Sequence, residues 1–143
     1  MKPIELISEN LLEEGLRMEV DILPSLDFVR RQGMSARTIP KVRTLALFDT
    51  GAKLCVVDNN IIEALGVEAY QTSPVKTPFG IVQAEIYQLI FQIPGKKEYF
   101  PVLAVKADLS ADECKAVIGR DFLSYCNLVY DGAQEKGYLL VMK

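Results

Sequence analysis

The stretch "LALFDTGAKLCVVD", residues 45–58, places one acidic residue between two apolar runs that each predict a buried strand. Asp49 follows directly on the first run and opens a short bend made of Thr50, Gly51 and Ala52. A carboxylate at the end of a buried strand is costly unless hydrogen bonds satisfy it. Gly51 tolerates a positive φ and lets another backbone approach, and the Thr50 hydroxyl can bond a facing main-chain group. The bend therefore holds its carboxylate rigidly, either as a loop cap or as the working group of the protein.

The bulk composition of the 143 residues indicates one soluble globular domain, with 50% hydrophobic and 24% charged residues. No segment approaches the roughly 20 consecutive apolar residues of a membrane span. The N-terminal stretch "MKPIELISENLLEEG" carries acids through its middle, which is unlike a secretory signal. The net charge is −3 and the basic residues are scattered, whereas a nucleic-acid-binding surface normally has a basic patch. We therefore expect neither a membrane nor a nucleic acid as a partner.

The residue types that are missing narrow the chemistry further. The chain has no histidine, which excludes Ser-His-Asp and Cys-His catalysis and zinc sites that need an imidazole. It has no glycine-rich phosphate-binding motif. Its three cysteines (Cys55, Cys114 and Cys126) form no C-x-x-C pair, so we expect reduced thiols in a cytoplasmic protein. We expect no metal and no cofactor, and acid–base chemistry must come from carboxylates, Lys, Tyr or Cys.

Short apolar strands dominate the predicted secondary structure, at 16–23, 42–48, 54–58 and 98–105. Two hairpins are predicted, at 74–93 around Phe79–Gly80 and at 127–143 around Asp131–Gly132. Residues 116–126 predict a strand, a glycine turn and a helix with Asp121 near its start. Together these patterns predict an all-β barrel or sandwich.

Other segments predict little helix. Residues 59–66 predict a short helix that Asn59 or Asn60 caps and Gly66 ends. The polar and basic residues 24–41 predict a long loop. The fold class is therefore all-β with one or two short helices.

A lone carboxylate is a poor acid–base catalyst, whereas two that share a proton are an effective one. Because like charges about 3 Å apart cannot both ionise, such a pair titrates as one coupled unit. One carboxylate can then deprotonate a water while the other protonates or hydrogen-bonds a scissile carbonyl. The chain has a single D-T-G bend, so the second carboxylate must come from a second copy across a two-fold axis.

These segments resemble the retropepsin family, the single-domain, homodimeric aspartic proteases of retroviruses and their bacterial and cellular relatives. "LALFDTGAKLCVV" and, later in the chain, "AVIGRDFL" resemble the two signature segments, and "VKTPFGIVQAEIYQLIFQI" stands where the family has its flap hairpin. The resemblance covers roughly residues 16–141, and the ending is most similar to bacterial members. It implies a closed β-barrel-like acid protease fold over 16–143, with a flap at about 74–93. Residues 1–15 would be an N-terminal extension or an interface strand.

The resemblance also implies roles for individual residues. Asp49 would be the catalytic aspartate of each protomer, Thr50 would hydrogen-bond across the dimer axis, and Gly51 would accept hydrogen bonds from a bound peptide. The flap, roughly residues 75–86 with Phe79 and Gly80 at its tip, would close over the substrate and exclude water. Pro78, Phe79, Gly80 and Ile81 would be its substrate-binding residues. Support for the active site would come from Thr50, Gly51, Ala52, Val117, Ile118, Gly119, Arg120 and Asp121.

Lys53 departs from the family pattern. The family often has a small polar residue there, and in viral members an Asp pairs with the Arg that corresponds to Arg120. Because Lys53 cannot form that pair, Arg120 would need another acid. Lys53 would be either a solvated lysine at the rim of the cleft or a residue that favours acidic substrates.

The predicted function is therefore that of an aspartic endopeptidase, a homodimer that hydrolyses polypeptide substrates with a water activated by the Asp49 pair and needs no cofactor. One alternative is a catalytically weak or inactive dimer that binds an extended peptide segment of a partner protein. Another is a purely structural dimerisation domain.

Overall fold

Strands account for most of the regular structure in the computed structural model, which describes residues 2–142, the side chain of Thr77 excepted. The strands within this range are β1 (Ile4–Glu5), β2 (Arg17–Pro24), β3 (Val42–Phe48), β4 (Cys55–Asp58), β5 (Gln71–Thr77), β6 (Gly80–Gln92), β7 (Tyr99–Ala107), β8 (Ala116–Ile118), β9 (Cys126–Asp131) and β10 (Lys136–Val141). The helices are α1 (Leu11–Glu14), α2 (Leu26–Arg31), α3 (Asn59–Leu65) and α4 (Arg120–Leu123). The all-β prediction is confirmed, although the described residues contain four short helices where one or two were expected.

Seven strands form one sheet in the order β2-β3-β8-β4-β7-β6-β5. Strand β2 also pairs with β6, with Pro24 opposite Leu89, so six of the strands close into a ring and β5 remains outside it. The pairs β3–β8 and β4–β7 are parallel, and the other pairs in this sheet are antiparallel. Closing the ring satisfies strand edges that would otherwise be left open. The ring holds the ends of β3 and β8 side by side, where the candidate site begins.

The hydrophobic core packs large side chains from the ring strands against α4. Phe91, Phe100 and Phe122 are each at most 1% exposed, and the rings of Phe100 and Phe122 meet edge to face with centroids 5.0 Å apart. Burial of an aromatic or aliphatic side chain of this size contributes about 1.5–3 kcal/mol. The core therefore fixes α4, which follows β8 directly, against the strands that carry the site.

Residues 24–41 are not a continuous loop, and this prediction is wrong. Ser25 caps α2, since its Oγ accepts a hydrogen bond from the Phe28 backbone N–H at 3.2 Å. Asp27 lies in the first turn and pairs with Arg31 at 2.9 Å, a favourable arrangement for the helix dipole. Phe28 is buried beneath the helix. The serine cap and the charge order were readable from the sequence, but the polar composition of the whole segment obscured them.

Helix α3 was predicted correctly, but its cap was not. The N-cap is Asp58 and neither of the two asparagines, because the Asp58 carboxylate accepts from the Asn60 N–H at 3.2 Å. The same carboxylate accepts from the Leu109 N–H at 2.8 Å, so it joins α3 to the loop after β7. Gly66 ends the helix with φ 67°, a conformation that glycine adopts readily.

The two ends of the chain meet in a second, three-stranded sheet with the order β1-β10-β9. Ile4 lies opposite Leu139, so β1 pairs with β10 of the same chain. The hairpin of β9 and β10 confirms the predicted terminal hairpin. Whether residues 1–15 also contribute to an interface stays a prediction, as does the boundary of the domain at residue 16. Within residues 2–142, no helix has the length and apolar character needed to cross a membrane.

Candidate active site

Asp49 lies immediately after β3, where a turn begins. Its backbone N–H donates to the carbonyl of Ile118 at 3.0 Å, which continues the parallel pairing of β3 and β8 by one residue. One carboxylate oxygen, Oδ1, accepts a hydrogen bond from the Gly51 N–H at 2.8 Å. The Ala52 N–H donates to the Asp49 carbonyl at 3.2 Å, which closes the turn. The Asp49 carboxylate is thus exposed to solvent while the backbone around it is fixed.

Gly119 is the point at which the second signature segment packs against this turn. A Cβ added there would lie 2.3 Å from the carbonyl oxygen of Leu54 and 2.9 Å from that of Ala52. This close packing lets the next two backbone N–H groups bond the turn. The Arg120 N–H donates to the Ala52 carbonyl at 2.8 Å, and the Asp121 N–H donates to the Lys53 carbonyl at 3.1 Å. Only glycine fits here without separating the two segments.

The Arg120 side chain also bonds the turn. Its Nη1 donates to the carbonyl of Thr50 at 2.8 Å. Within residues 2–142 a backbone carbonyl of the turn takes this hydrogen bond, and an acidic partner for Arg120 stays a prediction. This contact holds the residue next to Asp49 directly.

The Asp121 carboxylate ties α4 to two strands of the ring. Its Oδ2 accepts from the Leu103 N–H in β7 at 2.8 Å, and its Oδ1 accepts from the Phe122 N–H at 2.9 Å. The Cys55 thiol in β4 donates to the same Oδ1 at 3.0 Å. Burial, and then the charge of Asp121, raises the pKa of the Cys55 thiol well above its usual range, so Cys55 stays protonated as a donor.

Cys55 and Leu103 are the supporting residues that the sequence did not identify. Each is far from Asp121 along the chain, and the sequence marks Cys55 only as a buried apolar thiol. No local pattern could have paired them. They become neighbours only once the ring is closed.

Leu47 and Val117 are paired across β3 and β8 next to the turn. Successive side chains of a strand alternate between its two faces, so Leu47 projects to the same side as Asp49. Val117 is half-buried, whereas Ile118 is fully buried beneath the turn. Lys53 is exposed, and its described contact is the backbone hydrogen bond with Asp121.

The predicted hairpin is present and runs from Gln71 to Gln92, beginning three residues earlier than expected, while its role as a flap stays a prediction. Thr77 lies opposite Gly80, which leaves Pro78 and Phe79 as the two turn residues. Gly80 has φ 121°, which favours glycine. Phe79 is 99% exposed and Ile81 71% exposed, so the tip presents apolar surface to solvent.

The structure therefore joins the turn and the second signature segment through direct hydrogen bonds, while the four tip residues belong to a separate hairpin. Among residues 2–142, no group of three or more Cys, Asp or Glu side chains is arranged to hold a metal ion.

Comparisons with known proteins bear on the fold. No family model and no curated protein matches the chain. A retropepsin-like aspartic protease from Rickettsia conorii overlaps with a TM-score of 0.56 at 13% identity, over 97% of this chain and 90% of that one. The simian foamy virus (mac) protease overlaps at 0.48 with 18% identity, over 76% of this chain and 92% of that one. The retroviral protease-like domain of Ddi1 from Leishmania major overlaps at 0.44 with 14% identity, over 88% of this chain and 95% of that one. The full-length overlap with the rickettsial structure shows that this chain has a retropepsin-like fold.

Proposed function

We propose that the protein is an aspartic endopeptidase whose catalytic unit is a homodimer, with Asp49 of one protomer beside Asp49 of its partner. The observation that carries this proposal is the exposed Asp49 carboxylate, held by the Gly51 N–H in a turn locked by the Gly119–Asp121 segment. A carboxylate fixed by backbone hydrogen bonds and still open to solvent suits catalysis better than capping. A loop cap alone would not need a second segment to lock it.

The proposed chemistry is hydrolysis by a shared proton. One carboxylate takes a proton from a water, whose oxygen forms a bond to the scissile carbonyl carbon. The partner carboxylate, which carries the shared proton, hydrogen-bonds the carbonyl oxygen and protonates it. When the C–N bond breaks, the leaving nitrogen takes a proton from one carboxylate, a hydroxyl of the tetrahedral intermediate returns a proton to the other carboxylate, and both products depart. A single protomer has only half of this unit and would be inactive.

The remaining residues would position the substrate. Thr50 would hydrogen-bond across the two-fold axis, and the backbone of Gly51 would bond an extended peptide in the manner of an added strand. Val117 and Ile118 would form the floor under the turn formed by Thr50, Gly51 and Ala52. The flap tip, made of Pro78, Phe79, Gly80 and Ile81, would cover the bound peptide and exclude water. The exposure of Phe79 and Ile81 supports this role, because a bound peptide would remove apolar surface of the tip from solvent.

Lys53 supports a second candidate, a dimer that binds an extended segment of a partner protein with little or no turnover. An exposed cation at the rim of the proposed cleft suits binding of an acidic segment but is not needed for hydrolysis.

The two candidates are separated by cleavage of a degenerate peptide library across acidic to neutral pH, with the oligomeric state recorded by light scattering. We expect the wild-type dimer to cleave peptides and Asp49→Asn to lose about 10²–10⁴-fold in rate. Asp131→Asn is the matched control, since Asp131 also precedes a glycine but bonds the Gln134 N–H in the terminal hairpin. Equal cleavage by wild type and Asp49→Asn would contradict the proposal, and a stable dimer without turnover would favour the binding candidate.

A further inference from the structure

An open cavity of about 330 Å³ lies beside the proposed catalytic turn. Its walls include Leu47 and Val117, the paired residues at the ends of β3 and β8, and Leu109 from the loop after β7. Because Leu47 projects to the same side of β3 as Asp49, the cavity opens on the face that carries the carboxylate. Its volume lies at the lower end of the roughly 300–1,000 Å³ of small-ligand pockets. A side chain of a peptide lying over Asp49 can therefore reach it.

The charged residues of the cavity are mostly acidic. Glu14, Asp112 and Glu113 line it together with one cation, Arg17. Arg17 Nη1 lies 3.1 Å from Glu14 and 3.8 Å from Glu113, so a single guanidinium faces two carboxylates. The Glu113 side chain is 71% exposed and remains free to contact an occupant. The lining thus has apolar walls and a net negative charge.

Arg17 is held in place within the wall. Its side chain is 8% exposed, and its Nη2 donates to the Glu9 carbonyl at 2.9 Å. Its Nε has no hydrogen-bond partner among the described residues. A buried donor without a partner is costly.

The loop that supplies the acids is built before any ligand arrives. The Asp58 carboxylate accepts from the Leu109 N–H at 2.8 Å, and the Asp112 N–H donates to the Leu109 carbonyl at 3.0 Å. Lys115 Nζ donates to the carbonyls of Leu109 and Ser110 at 3.1 and 3.0 Å and also to that of Asp112. These bonds fix the loop backbone, and the ammonium keeps its positive charge close to the Asp112 carbonyl. The backbone that carries the Asp112 and Glu113 side chains is therefore fixed by hydrogen bonds.

We propose that this cavity is a specificity pocket for a substrate side chain with a long aliphatic stem and a cationic end, lysine or arginine. The stem would lie along Leu47, Leu109 and Val117, and the cation would meet Asp112 and Glu113 at the mouth. The pocket rests on the proposed function in one respect, that an extended peptide lies over Asp49. It assigns to these two acids a role in choosing the substrate, and none in the hydrolysis itself.

The test uses short degenerate peptides in which one position is fixed in turn as Lys, Arg, Met or Glu. Met matches the stem of Lys without its charge. Binding to the Asp49→Asn protein is measured by fluorescence anisotropy, and cleavage is measured with the wild-type catalytic residue. At one position we expect Lys and Arg peptides to exceed Met peptides by about tenfold, as two partly exposed ion pairs can supply. The preference should shrink as salt is raised.

The double variant D112N/E113Q should bring the preference for Lys over Met to within about twofold, and Glu113→Lys should favour Glu peptides. Glu63→Gln, an exposed residue of α3, is the matched control and should leave the preference unchanged. Binding of Lys peptides no tighter than Met peptides, or a preference that survives in D112N/E113Q, overturns the specificity pocket. The same holds if no peptide binds. A retained Lys preference in binding, with no cleavage by the wild type, supports the pocket and overturns only the proposed endopeptidase.

Discussion

The turn at Asp49, which we propose to be catalytic, and the hairpin tip at residues 78–81, which we propose to be a flap tip, are built in opposite ways. Backbone groups of the turn at Asp49 and Ala52 bond to the segment that ends β8 and begins α4, and a side chain of that segment bonds Thr50. The hairpin tip, by contrast, contains a two-residue turn, and the adjacent Ile81 and Val82 are 71% and 50% exposed. A group that must hold a reacting water needs a fixed position, whereas a cover that admits substrate must open at low cost. We therefore expect substitutions in the turn to affect stability and activity together, and substitutions in the tip to affect activity alone.

The largest effect is expected for Gly119→Ala. The new Cβ would lie 2.3 Å from the Leu54 carbonyl oxygen, so the turn and the second segment must separate. We expect a loss of about 3 kcal/mol or more in the free energy of unfolding, as for other severe packing clashes, and no peptide cleavage. Urea unfolding measures the first and the library assay the second. Gly132→Ala, whose added Cβ would have only an ordinary contact with Tyr130 at 3.4 Å, is the control. Equal stability of the two variants would contradict the locked turn.

The next effect is expected for Asp121→Asn. The two carboxylate oxygens of Asp121 accept hydrogen bonds from the N–H groups of Leu103 and Phe122. An asparagine amide has only one acceptor oxygen and no charge, so one of these N–H groups would lose its partner. We expect a loss of about 1–3 kcal/mol in unfolding free energy, the usual cost of an unsatisfied buried donor. Thermal and urea unfolding measure it. Asp27→Asn, on the exposed face of α2, should change stability little, and a comparable loss in that variant would show that the Asp121 contacts are not special.

The ring that carries the turn should lose one source of stability in acid. Asp21 in β2 is buried opposite Arg43, which bonds both carboxylate oxygens at 2.8 and 3.1 Å. The hydrogen bonds from Arg43, followed by its charge and that of Lys41, hold the pKa of Asp21 below its ordinary value despite the opposing effect of burial. A lowered pKa stabilises the folded state above the ordinary carboxyl pKa of about 3.9 and ceases to do so as the pH falls through the folded value.

The stability advantage of wild type over Asp21→Asn should therefore be full at neutral pH and shrink below about pH 4. Urea unfolding of both proteins at several pH values measures it. A difference that stays constant with pH, or grows in acid, would contradict the assignment of this ion pair.

The smallest effect on stability is expected at the flap tip. Ile81→Ala removes a side chain that is largely in solvent, so the unfolding free energy should change by no more than about 0.5 kcal/mol. Peptide cleavage should fall, because the cover over the substrate loses apolar contact. Leu12→Ala in α1 is the control, since Leu12 is 89% exposed and should affect neither quantity. A large loss of stability without loss of cleavage would reverse the comparison between turn and tip.

The sequence predicted the local structure of those parts of the candidate site that depend on short patterns. The D-T-G-A bend, the glycine before Arg120 and the hairpin around Phe79–Gly80 each have a local signature, a glycine beside an apolar strand pattern. It could not predict the contacts made by closure of the ring, such as the Cys55 thiol on Asp121, because they join residues far apart in the chain. It also missed α2, where the Ser25 cap lies within a polar segment that looks like a loop. Long-range packing decided the contact between Cys55 and Asp121, whereas α2 has local signals that the polar composition of its segment obscured.

The central claim, that two Asp49 residues form one catalytic unit, is tested most directly by mixing wild type with Asp49→Asn at fixed total concentration, after conditions that let protomers exchange. If both carboxylates are required, mixed dimers are inactive, and an equal mixture retains about one quarter of the wild-type cleavage rate, since a dimer needs two active copies. The rate should fall with the square of the wild-type fraction. A rate that falls in simple proportion, leaving about half in the equal mixture, would show that each protomer acts alone and would contradict the shared dyad.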